Sequence, residues 1–127
     1  MSKTNYLENA LLDHVLRGVQ YPCPAGIYVA LFTAAPGETA GGTEVTGGSY
    51  ARQGAVFTAA ANGQVTNSSD VTFPQATANW GTITHFALLD AISGGNMLYY
   101  GALTTSKTIN TGDQLKFATG GIAVTED

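Results

Sequence analysis

The chain has 127 residues, the size of one domain with a sizeable core, and 44% of them are hydrophobic. Only 11% are charged, well below the roughly 25% of ordinary soluble domains, and the formal net charge is −4. Five lysines and arginines are too few for a phosphate-tracking surface, and no apolar run approaches the roughly 20 residues that span a bilayer, so nucleic acid and membrane are set aside as partners.

The first predicted element is a helix over Asn5 to Arg17, where Leu7, Leu11, Leu12, Val15 and Leu16 form an apolar stripe at helical spacing. Asn5 with Glu8 three residues on reads as a capping box. Gly18 stands at the C′ position, and His14 and Arg17 complement the dipole of the last turn. The stripe must bury itself on the rest of the chain or on another subunit. Tyr21, Pro22, Cys23 and Pro24 follow as an extended connector. The chain opens without the continuous apolar stretch of a cleavable signal, so the expected place of synthesis is the cytoplasm.

Beyond the connector the period changes to two. Ile27 to Thr33 is apolar on both faces, the pattern of a strand buried in the middle of a sheet. Ala34 to Ser49 is rich in Gly and Thr, lacks periodicity, and is longer than most loops of a compact domain. Tyr50 to Ala59 reads as a strand closed by the Asn62-Gly63 turn. Val65 and Val71 to Phe73 mark short strands. Trp80 to Leu89 and Met97 to Leu103 form a hairpin about a turn at Asp90 to Asn96. A turn at Asn110 to Asp113 and short strands at Leu115 to Phe117 and Ile122 to Val124 complete the set. The fold class expected is mainly β: an antiparallel β-sandwich or jelly-roll-like domain preceded by one amphipathic helix. The whole chain reads as a single domain, 1–127, with the helix arm in 1–20 and the sandwich in 25–127.

Catalytic chemistry finds no foothold in these residues. His85 lies in mid-strand with no acid placed to orient it, and Asp70, Asp90 and Asp113 sit beside turns, where Asp bonds the backbone locally. Asp13 and His14 are adjacent on a helix and cannot face one ion together. The glycine pairs match no phosphate-binding loop, and the lone Cys23 excludes an intrachain disulfide. Catalytic, metal and cofactor residues are each expected to be none. Tyr50, Tyr99 and Tyr100 are read as candidate interface anchors, with stacking on a sugar as the alternative.

Several blocks in one order resemble a known family. They are Tyr28 to Pro36, Gly42 to Val45, Gly48 to Arg52, Phe73-Pro74, Trp80-Gly81, Thr84 to Phe86, Asp90-Ala91, Gly94 to Asn96, Tyr100-Gly101 and Asn110 to Asp113. Together with Asn5 to Asn9 they are similar to small virion proteins of tailed bacteriophages, often labelled tail-fibre proteins. The resemblance implies a non-enzymatic structural component of the virion. Partners would be other virion proteins (the major capsid protein or tail and baseplate proteins) and the chain itself as a homo-oligomer. Since no repeat or coiled coil is present for a long shaft, a capsid decoration (cement) subunit is the leading expectation. A tail-fibre or receptor-binding module for host glycan is the alternative. The helix residues Leu7, Leu11, Leu12, Val15 and Leu16 are the expected contact, with the Ala34 to Ser49 loop as a second.

Overall fold

The computed structural model describes residues 1–126, so Asp127, the last residue of the expected domain, lies outside the described residues. In chain order the elements are β1 (Ser2–Lys3), α1 (Asn5–Arg17), β2 (Ile27–Ala34), β3 (Thr43–Glu44), β4 (Gln53–Ala55) and β5 (Gln64–Thr66). They continue with β6 (Val71–Thr72), β7 (Gly81–Leu89), β8 (Met97–Ile109), β9 (Lys116–Phe117) and β10 (Ala123–Thr125). The protein is mainly β, with antiparallel pairing throughout and one N-terminal helix.

Six strands form the main sheet. β1, β8, β7 and β2 lie side by side, and β3 and β4 share the far edge of β2. This explains why the Ile27 run is apolar in both directions: β2 is central, and both of its faces are covered. Val29 and Leu31 join Ile83, Phe86 and Leu88 on one face, while Ala30 and Phe32 join Ala87, Leu89 and Met97 on the other. A second layer covers the first face. It consists of two short antiparallel ribbons, β5 with β10 and β6 with β9, which contribute Val71, Phe73, Ile122 and Val124 to the same core. The arrangement is sandwich-like, with the second layer built from ribbons instead of one continuous sheet.

Buried Asn67 stitches that second layer together. Its Nδ2 donates to the carbonyls of Ser69 (2.8 Å) and Ala118 (2.9 Å), and its Oδ1 accepts from the Ile122 N–H (2.8 Å). Each polar atom of the side chain is thus satisfied away from water, as burial requires. Gly48 serves a different need. Trp80 Nε1 donates to the Gly48 carbonyl at 2.9 Å, the glycine has φ +59°, and a Cβ there would lie 2.8 Å from Trp80 Nε1.

The helix has the expected bounds but a different cap. Thr4 is the N-cap, accepting from the Leu7 N–H at 3.4 Å, and Asn5 lies in the first turn. Thr4 wins because it also closes the β1–β8 pairing: its N–H donates to Leu98, and its hydroxyl donates to Met97 at 2.6 Å. Gly18, at φ 70°, ends the helix as its position foretold.

Three strand expectations need correction. The Tyr50 to Ala59 run pairs only as β4, with a single bridge from Phe57 to Asn67. Its glycine, Gly54, offers no side chain to hold a longer ladder. The long loop contains a strand of its own, β3, against the end of β2. β8 runs six residues past Leu103, to Ile109. Its pairs Ala102–His85 and Lys107–Ile83 leave Leu103, Thr104, Thr105 and Ser106 facing Thr84 alone, a wide bulge in the sheet edge.

Candidate functional site

The α1 stripe divides into two faces. Leu7 is buried at 4% exposure and Leu11 half-buried, so these two attach the helix to the body. Leu12, Val15 and Leu16 are 57%, 72% and 75% exposed, and Val19 just beyond the helix is exposed with them. At 3.6 residues per turn Leu12, Val15 and Leu16 share one side of α1, with Leu16 opposite Leu7. A cleft of about 640 Å³ lies beside them, bounded by Lys3, Glu8 and Glu126. Scattered exposed leucines are ordinary, whereas Leu12, Val15 and Leu16 are contiguous on one helix face.

The tyrosines are placed differently. Tyr50 stacks on Phe73 with ring centroids 6.1 Å apart and meets Trp80 edge-on at 5.5 Å. Its hydroxyl donates to Glu44 at 2.7 Å and accepts from the Leu31 N–H at 3.0 Å. Burial, and then the bond to Glu44, push its pKa well above the ordinary value. Both ends of Tyr50 are therefore engaged inside the protein. Tyr99 and Tyr100 are half-buried on opposite faces of β8, as alternation requires. The Tyr99 hydroxyl donates to Glu126 at 2.7 Å, and Lys3 Nζ reaches the same carboxylate at 2.6 Å, so residues near both ends of the chain meet in one clasp.

Sequence reasoning passed over Glu44 and Arg52. Arg52 grips Glu44 with two nitrogens, at 2.9 Å and 2.8 Å, and its remaining Nη1 donates to the carbonyls of Ala91 (2.9 Å) and Gly94 (2.8 Å). Burial alone would raise the Glu44 carboxyl, but the bonds from Arg52 and Tyr50 outweigh it and hold the pKa below 4.5. The fork pins the long loop to the turn of the β7–β8 hairpin. In that turn Asp90 accepts from the Asn96 N–H at 2.6 Å. One signal was available in the sequence: in a chain this poor in charge, Glu44 in the Gly- and Thr-rich loop and Arg52 just beyond it need a reason to be there.

The remaining polar residues do local work. Asp70 accepts from Thr119, and Asp113 from the Asn110 N–H. His85 Nδ1 lies 2.8 Å from the neighbouring Thr84 hydroxyl. Cys23 is exposed beside Pro24. Among the described residues no group of three or more His, Cys, Asp or Glu side chains is placed to hold a metal ion, and no helix is long and apolar enough to cross a membrane.

With this geometry in hand, the comparisons with known proteins agree with the resemblance read from the sequence. The family model described as Podophage GP4 fiber I protein gp80 matches residues 2–125, nearly the whole chain. No curated protein matches the sequence.

Proposed function

The chain belongs to the Podophage GP4 fiber I protein gp80 family of tailed-phage virion proteins, and we propose that within the virion it is a non-enzymatic subunit holding its neighbours through the outer face of α1. The observation that carries this reading is the exposed set Leu12, Val15 and Leu16 on a helix anchored to the body at Leu7. Each contact removes apolar surface from water, worth about 25 cal/mol per Å², and repetition over many copies multiplies the hold. Made in the host cytoplasm, the protein acts once incorporated into the particle. Its proposed place there is the capsid shell, as a decoration or cement subunit. A compact body with an apolar arm suits bridging neighbours, and the sequence has no repeat or coiled coil from which to build a shaft.

The second reading, a tail-fibre module meeting host glycan, is favoured by the word fiber in the family's description. Of the three tyrosines, Tyr100 alone has no hydroxyl bond to another side chain among the described residues, which makes it the ring that module would use. Antibody labelling of purified virions separates the two. Signal over the whole head is the expected result, and signal at the tail tip alone replaces the decoration reading with the fibre one.

A further inference from the structure

A second concave surface runs along the outer edge of β8. β1 pairs only with Tyr99 and Tyr100 of that strand, and the Leu103 to Ser106 bulge carries the next stretch out of register. Between this edge and β9 opens a cleft of about 470 Å³. Its lining is mixed: Phe86 and Leu115, buried, and Leu103 and Phe117, half-buried, supply the apolar part beside exposed Thr104, Thr105 and Lys116, and Met1 also lines it. Lys107, exposed, stands on its rim.

The charges distinguish this cleft from an ordinary dent. Lys3, Arg17, Arg52 and Lys116 are paired with Glu126, Asp13, Glu44 and Asp70. Lys107 is the one lysine or arginine among the described residues without a carboxylate partner. On α1 the reverse holds. Glu8 precedes Leu12 by one turn, lines the cleft beside the exposed apolar face, and has no cation against it. The helix face thus ends in an unpaired anion and the cleft in an unpaired cation.

We propose that α1 of one copy of this chain lies in the β8 cleft of a second copy, with Leu12, Val15 and Leu16 against Phe86, Leu103 and Phe117, and Glu8 meeting Lys107. This rests on the reading of α1 as the contact face. Two copies each carrying −4 repel at long range, so their contact needs opposite charges facing each other, and Glu8 with Lys107 supplies them. Area argues that the contact is reciprocal. A standard interface takes about 800 Å² from each partner, more than one face of a 13-residue helix presents. A reciprocal contact engages helix and cleft on both copies and so doubles the area of a one-sided one. Both lie at the same sheet edge, since Thr4 joins the start of α1 to Met97 and Leu98 of β8 while Met1 lines the cleft. That placement is what a two-fold contact requires. The competing assembly, edge-to-edge pairing of two β8 strands, is obstructed by the bulge.

Sedimentation equilibrium of the full chain, with circular dichroism on each variant, tests the proposal. Wild type is expected to form a dimer. Glu8→Lys and Lys107→Glu are each expected to weaken it about tenfold, and the two together to restore it to within about threefold of wild type. A wild type that stays monomeric, or a charge swap as weak as its single variants, overturns the proposal. Incorporation of Leu12→Asp with Leu16→Asp into virions separates the two readings. If wild type is monomeric yet this variant is lost from particles, α1 docks on a different virion protein and only the self-contact fails. If the variant is incorporated as wild type, α1 is not the attachment face and both readings fall.

Discussion

The helix α1 and the long loop between β2 and β4 invert the usual association of regular structure with burial. α1 is a regular helix capped at both ends, yet three of its five stripe residues face water. The loop is irregular except for β3, yet it sends Val45 into the core and Tyr50 between Phe73 and Trp80. It is closed by a fork of four hydrogen bonds from one arginine. Backbone regularity therefore does not tell which segment holds the fold and which is spare. What tells is where the side chains spend their polar bonds and apolar area. The loop spends both inward; the helix keeps a face in reserve.

The largest effect that would test this contrast comes from Arg52→Met. It strips Glu44 of its partner and leaves the Ala91 and Gly94 carbonyls without their donor, for an expected loss of about 2–3 kcal/mol measured by urea unfolding. Leu7→Ala follows, at about 2 kcal/mol, because Leu7 is the buried attachment of the helix and its loss leaves a void. Tyr50→Phe keeps the ring stack but removes the hydroxyl that serves both Glu44 and Leu31, and about 1 kcal/mol should go with it.

Acid gives a graded version of the same test. The Glu44 carboxyl sits below 4.5 in the folded protein, so its contribution is complete above pH 4.5 and is lost as pH falls through the depressed value. Glu126 and Asp70 are lowered in the same direction and add to the slope. A melting-temperature series from pH 6 downward should fall below pH 4.5, and less steeply in Glu44→Gln. The smallest expected effect is on the helix. Measured at a concentration dilute enough to keep the chain monomeric, Leu12→Asp with Leu16→Asp should shift unfolding by less than about 0.5 kcal/mol, since neither side chain is buried in the protomer. A loss comparable with that of Leu7→Ala would show that the outer face belongs to the core, and the contrast would collapse.

Much of the sheet was legible because β2 and β7 carry period-two runs, and the turn between β7 and β8 is marked by Ser93, Gly94, Gly95 and Asn96. The helix was legible to the residue, through its leucine spacing and Gly18. Its cap was not, because Thr4 and Asn5 are both good caps and the choice fell to a strand pairing more than ninety residues away. The bulge at Leu103 to Ser106 was invisible for a related reason. A Thr-rich stretch suits a strand or a bulge equally, and only the register with β7 decides. The stripe itself was found, but not its division. Helical spacing shows which residues share a side, while the angle at which the helix meets the body decides whether Leu7 or Leu16 is covered.

The clasp of Lys3, Glu126 and Tyr99 has a mechanical consequence. A pull applied between residues 3 and 126 meets the ion pair first, because the two side chains are already in contact at 2.6 Å. Behind it stand β1 and β10, each short and each paired along one side with a single strand, β8 and β5. Pairings of two and three residues have few hydrogen bonds with which to resist. Tension between the ends would therefore unravel the margins while β2, β7 and the rest of β8 stayed unloaded, and the protein would give at its rim before its core.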